Sequence, residues 1–169
     1  MEINQLPKWD PSAAGLSCCP KFDPAQWDGL ELHFRDKPFV RAQTRDFFHI
    51  PLNMRGIHKR TLKAIQRVRA DDYEYVVLSD DSAKWQGEHF FNVKEEVPGA
   101  DNVKLTGDYI THVFEGPYRD VPKWAREMEK LVQDRGKKMV KLYFYYTACP
   151  KCAKRFGKNY VVGIAQVGT

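Results

Sequence analysis

The chain has 169 residues, 43% of them hydrophobic and 13% aromatic, which is about one domain's length and enough apolar material for a core. Its 27 Lys and Arg against 22 Asp and Glu give a net charge of +5, which attracts anions and tolerates nucleic acid without requiring it. The composition excludes a disordered chain, and no stretch has the apolar core of a secretory leader or the length of a membrane span, so a soluble cytoplasmic protein with no membrane partner is expected.

The first 29 residues place Pro7, Pro11, Gly15, Pro20, Pro24 and Gly29 among Trp9, Phe22 and Trp27, a series of breaks that predicts a wrapping arm. Leu30, Leu32 and Phe34 then alternate with polar residues, and Asp36-Lys37-Pro38 reads as a turn before Phe39 to Phe48 resumes extended character, which predicts a hairpin. From Gly56 to Arg69, Ile57, Thr61, Leu62, Ile65 and Val68 fall on one helical stripe. Tyr73 to Leu78 and the segment holding Trp85, Phe90, Phe91 and Val93 predict two strands around an Asp80-Asp81-Ser82 turn. Pro98-Gly99 opens a linker over 98–108 between a first half, 30–97, and a second half, 109–169.

The second half begins with a strand from Tyr109 to Glu115, broken at Gly116-Pro117-Tyr118. Asp120 stands where a helix N-cap belongs, and Trp124, Met128, Leu131 and Val132 form an apolar face that ends near Gly136. Val140 to Tyr146 and Tyr160 to Val167 read as a closing pair of strands joined by a cysteine-bearing loop. Strand, helix, strand, strand thus occurs twice. The expected fold is α+β, with two pseudo-symmetric units forming an antiparallel sheet, helices on one side and a ligand cleft between the units.

The run Val113-Phe114-Glu115-Gly116-Pro117-Tyr118, with Trp124 on the helix that follows, resembles the strand-to-helix signature of the GyrI-like small-molecule-binding domains. That family includes effector-binding domains of multidrug-responsive regulators, gyrase-inhibitory proteins and stand-alone hydrolases. The resemblance covers roughly Phe39 to Val167. It implies a stand-alone protein that sequesters or hydrolyses a hydrophobic or aromatic small organic molecule, with aromatic walls and a carboxylate around the ligand. The matching strand Val140 to Tyr146 contains no acid, which leaves Glu115 or Glu88 to supply one. Glu115 is the candidate general acid or base. Tyr109, Tyr143, Tyr145, Phe91 and Trp85 are the candidate ligand contacts, since such rings offer flat apolar bodies and the tyrosines add a hydroxyl. His49 and His112 are further candidate bases; no Ser-His-Asp motif, metalloprotease motif or Gly-rich phosphate loop is visible.

Four cysteines remain. Cys149 and Cys152 have the spacing at which two thiolates grip one tetrahedral ion, and Cys18 with Cys19 would complete a four-thiolate zinc site that ties the arm to the last loop. Thiols in a hairpin loop and a redox dithiol are the competing readings, and no cofactor other than zinc is suggested. The alternative function is a zinc- or thiol-dependent module that contacts nucleic acid through Lys151, Lys154, Arg155 and Lys158, although no recognition helix or RNA-binding signature accompanies these charges.

Overall fold

The computed structural model describes residues 1–8, 19–47, 50–70, 76–83 and 85–168. Along them run strands β1 (Glu31–Phe47), β2 (Ile50–Pro51), β3 (Val77–Asp80), β4 (Gln86–Asn92), β5 (Asp101–Glu115), β6 (Lys138–Tyr146) and β7 (Tyr160–Gly168). Helices α1 (Met54–Arg67), α2 (Val121–Asp134) and α3 (Pro150–Phe156) complete a mixed α/β chain. It divides into two compact units, Met1–Phe34 with Gly107–Thr169 and Arg35–Thr106. Both long strands, β1 and β5, contribute to each.

In the unit Arg35–Thr106, β4 lies antiparallel between β1 and β3, with Val40 opposite Phe91, Ala42 opposite His89 and Thr44 opposite Gly87 on one side. On the other side Val77 stands opposite Phe91 and Ser79 opposite His89. Directly opposed residues share a sheet face, so Val40, Ala42, Thr44, Val77, Ser79, Gly87, His89 and Phe91 all look the same way. The apolar end of this face packs with Ile65 of α1 and with Ala70, Val93 and Val97, flanked by Leu62 and Ala64. Burying a side chain the size of Ile65 or Phe91 contributes about 1.5–3 kcal/mol. Within this unit β1 and β5 are tied by Arg41 Nε to Asp101 Oδ2 at 2.8 Å and by the Asp36 amide, which donates to Thr106 Oγ1 at 2.9 Å.

Those ties explain why the expected hairpin at Asp36-Lys37-Pro38 is absent. β1 runs straight through these residues for its full 17. Asp36 adopts a left-handed φ of 49°, and the buried positions slip by one residue, from Leu32 and Phe34 to Lys37 and Phe39. The turn-forming chemistry is spent on a local kink whose freed groups bond Thr106, and the chain continues along β5 without reversing. β5 also starts earlier than the strand expected from Tyr109, at Asp101. The predicted strand Tyr73 to Leu78 is found as β3, with residues 71–75 outside the described set.

In the unit Met1–Phe34 with Gly107–Thr169, β7 lies between β5 and β6, with Phe114 opposite Val161 and Phe144 opposite Gly163. Trp124, Met128 and Val132 of α2 bury their predicted apolar stripe against Phe114, Phe144, Val161 and Ala165. At the junction that precedes α2, Gly116 has a φ of 155° and lies under Trp124, whose Cζ2 would stand 3.1 Å from an added Cβ; Trp124 in turn stacks on Phe114 at 5.2 Å. A 3₁₀ turn over Tyr118–Asp120 leads into the helix, where Asp120 occupies the N-cap position without a side-chain capping bond. Gly136, at a φ of 67°, ends it.

The N-terminal arm bonds β1 through Ile3 and Asn4 at His33, and β5 through residues 27–30. Thr111 donates its hydroxyl to the Trp27 carbonyl, the Leu30 amide donates to Thr111 Oγ1 at 3.0 Å, and the Val113 amide donates to Asp28 Oδ1 at 3.0 Å. The loop expected between the last two strands contains α3, because Pro150 starts a helical turn that Gly157 stops at a φ of 73°. Among the described residues no helix is long and apolar enough to cross a membrane.

α2 approaches the sheet closely at Gly163, where a Cβ would stand 2.7 Å from Met128 Sδ and 3.1 Å from Phe114. Gly163→Ala is therefore expected to cost about 1–3 kcal/mol of stability through overpacking, read as a lower urea midpoint at unchanged slope. An unmoved midpoint would mean that α2 yields freely at this contact.

Candidate active site

The face that is apolar beneath α1 turns polar toward the end of β3. Ser79 and His89 are each 2% exposed, Thr44 and Asp46 are equally enclosed, and all four are in hydrogen-bond contact. Thr44 Oγ1 donates to Asp46 Oδ1 at 2.7 Å, His89 Nε2 lies 3.0 Å from Thr44 Oγ1, and Ser79 Oγ lies 2.8 Å from His89 Nδ1. A carboxylate only accepts, so the single Thr44 proton goes to Asp46 and the hydroxyl oxygen must accept from His89 Nε2–H. That fixes the neutral tautomer with an unprotonated Nδ1, and Ser79 donates its hydroxyl proton to it. Every proton in the chain Ser79–His89–Thr44–Asp46 thus points toward the carboxylate.

The backbone permits this closure because Gly87 faces Thr44 across the ladder. A Cβ at Gly87 would stand 2.7 Å from Thr44 Oγ1, 2.9 Å from Asp46 Oδ2 and 3.0 Å from His89 Nε2, leaving no room for the polar groups. Asp46 Oδ2 is buried with no hydrogen-bond partner among the described residues. The Asp46 amide donates to the Trp85 carbonyl at 2.9 Å, and the exposed Trp85 ring meets the exposed Phe47 ring at 5.8 Å, so an aromatic pair adjoins the relay along the chain.

Burial holds His89 below its ordinary value of 6.5, against the opposing pull of Asp46, Asp80 and Glu88. His58 of α1, in edge contact with Phe91 at 5.2 Å, is lowered too, first by burial and then by His89. A depressed histidine keeps its lone pair, which is the form a general base needs.

The residues singled out from sequence stand as follows. Glu115 ends β5 with its side chain 53% exposed and Lys158 Nζ 4.0 Å away, and Glu88 pairs with Arg41 at 3.5 Å. Tyr109 is buried between Phe34 at 4.8 Å and Tyr143 at 6.4 Å, and burial raises its pKa. Tyr145 lies under Trp27 at 5.3 Å and Phe22 at 6.3 Å, its hydroxyl likewise raised by burial. Phe91 is part of the apolar core below α1, and Trp85 is 60% exposed. His112 pairs with Asp28 at 2.8 Å; His49 lies outside the described residues. The Sγ atoms of Cys19, Cys149 and Cys152 gather within 4.8 Å of one another and could bind a metal, whereas Cys18 lies outside the described residues. Cys149 is the extended N-cap residue of α3 and Cys152 lies on its first turn.

The four-residue relay escapes linear motif reading because its members come from three strands and meet only through register. Its one local signal is alternation: Thr44 and Asp46 continue the Val40, Ala42 stripe, and Ser79 continues that of Val77.

Ser79, His89, Thr44 and Asp46 thus form one buried chain of hydrogen bonds. The chain belongs to the family described as bacterial hydrolase, whose model matches residues 9–167. Its fold is similar to the crystal structure of an uncharacterized conserved protein from Listeria innocua, at 10% identity and a TM-score of 0.60 over 83% of this chain and 92% of that one. At that identity the likeness is of fold alone. No curated protein matches the sequence.

The lowered histidines have a measurable consequence for stability. Between the unfolded value near 6.5 and the lower folded value, the unfolded chain binds more protons, so stability is full above 6.5 and falls as the pH drops through that window. Thermal melts from pH 7.5 to 5 should show a falling midpoint, with a shallower fall in His89→Gln; an equal slope in both proteins would place the acid sensitivity elsewhere.

Proposed function

We propose that the protein is a serine hydrolase of small hydrophobic or aromatic organic molecules, in which Ser79 is the nucleophile and His89 the general base. The observation that carries this reading is the fixed direction of the relay: Ser79 donates to an unprotonated His89 Nδ1 whose other nitrogen is anchored through Thr44 to Asp46. Attack of Ser79 Oγ on an acyl carbon would pass the hydroxyl proton to Nδ1, and the imidazolium would return it to the leaving alkoxide. Water would then release the acyl group by the same route, while Asp46, acting through Thr44, offsets the transient positive charge.

Membership in a bacterial hydrolase family supports the reaction class, and the exposed Phe47 and Trp85 rings beside Asp46 favour an apolar or aromatic substrate over nucleic acid. Ser79 is 2% exposed, so a substrate reaches it only through a local opening of the unit. We further infer a GyrI-like ancestry with two strand-helix-strand-strand units. Its supports are the element order, which with the two-residue β2 and the short α3 set aside is β1-α1-β3-β4 followed by β5-α2-β6-β7, and the Gly116-Pro117-Tyr118 junction. In this account the nucleophile has taken over the chemistry that the resemblance assigned to a carboxylate such as Glu115.

Hydrolysis of a panel of nitrophenyl and naphthyl esters provides the test. Ser79→Ala and His89→Gln are each expected to lower kcat/KM by at least about 10³-fold, as loss of a member of a nucleophile-base pair does. Glu115→Gln should keep wild-type turnover, and the wild-type rate should decline on the acid side only below pH 6.5. Full activity in Ser79→Ala would overturn the assignment.

A further inference from the structure

Outside the relay, the densest group of potential ligands is the thiol cluster formed by Cys19, Cys149 and Cys152. Cys149 is the N-cap of α3 and Cys152 lies on its first turn, and Cys19 comes from a segment 130 residues before Cys149. Their Sγ atoms all lie within 4.8 Å of one another. Three thiolates on one tetrahedral zinc, with Zn–S near 2.3 Å, require sulfur-sulfur separations of about 3.8 Å, so small rotamer adjustments bring the cluster to coordination distance. The three are not joined by a disulfide.

The backbone already has the form of a thiolate site. The Cys149 amide donates to Cys19 Sγ at 3.4 Å, and the Ala153 amide donates to the Cys149 carbonyl at 2.9 Å, which sets the first turn that carries Cys152. Cys152 is 3% exposed, so the cluster's inner edge is shielded from water. Zinc with three thiolates carries one net negative charge, and Lys151, Lys154 and Arg155 on the same short helix offset it.

We propose that Cys19, Cys149 and Cys152 form a zinc site that clamps the N-terminal arm to α3. Each thiol gives up its proton when the ion binds, and the described residues supply three of the four tetrahedral ligands. The clamp holds in place an arm whose next residues bury Tyr145: Phe22 packs on Tyr160 at 5.7 Å and Trp27 on Tyr145 at 5.3 Å, and the Leu30 amide bonds Thr111. Zinc occupancy would therefore be read out as order in residues 19–30 and not as a change in the relay, which belongs to the other compact unit.

The test uses the full chain, purified without chelator. Elemental analysis is expected to find about one zinc per chain, and cobalt(II) added to the demetallated protein should produce a sulfur-to-cobalt charge-transfer band that zinc then abolishes. Chelation should speed hydrogen exchange at the Leu30 and Val113 amides. Cys19→Ser and Cys152→Ser should each weaken zinc binding at least about tenfold. The wild-type cobalt titration decides the matter even if a variant fails to fold. The proposal is overturned by protein that takes up neither metal under reducing conditions, or by metal binding that both serine variants leave unchanged.

Discussion

A histidine enclosed within a β-sheet must satisfy both ring nitrogens internally, and much of the organisation of the Arg35–Thr106 unit meets that demand for His89. Leaving a buried polar group unpaired costs about 1–3 kcal/mol, comparable to removing a well-packed side chain. Ser79 and Thr44 meet the demand from strands on either side, at 2.8 and 3.0 Å. Thr44 in turn needs an acceptor for its proton, which brings Asp46 inside, and Asp46 needs space, which only a glycine at position 87 leaves. One buried ring thus dictates the residue types at four neighbouring positions. The proton order it imposes is also the one a nucleophile requires.

The same strand register that makes the core places the chemistry. Val40, Ala42 and Val77 occupy the apolar end of the face covered by α1, while Thr44, Asp46 and Ser79 continue those alternations at its polar end. A slip of one residue would expose the core and scatter the relay together, so the packing that stabilises the unit also maintains the site. The single unsatisfied oxygen, Asp46 Oδ2, is the point at which this network is left incomplete among the described residues.

Legibility in the sequence follows the range of the interactions involved. The helix bearing Trp124, Met128 and Val132, the Gly116-Pro117 junction and the last two strands rest on local periodicity and on glycine and proline, and were readable as such. The Asp36-Lys37-Pro38 turn was misread because local turn chemistry lost to pairing with Thr106, 70 residues away. The relay was invisible for a related reason: Ser79, His89, Thr44 and Asp46 are ordinary polar residues until β1, β3 and β4 align them. The Cys149 to Cys152 spacing and the Cys18-Cys19 pair both stand out in the sequence, and Cys19 is brought beside Cys149 and Cys152 as the arm folds back.

Covalent capture tests most directly whether Ser79 is a nucleophile activated by His89. A fluorophosphonate probe incubated with the full chain at neutral pH, followed by peptide mass mapping, should place one phosphonyl group on Ser79 of the wild type and none on Ser79 of His89→Gln. Labelling that falls on another residue, or labelling of Ser79 that is indifferent to His89, would contradict the account.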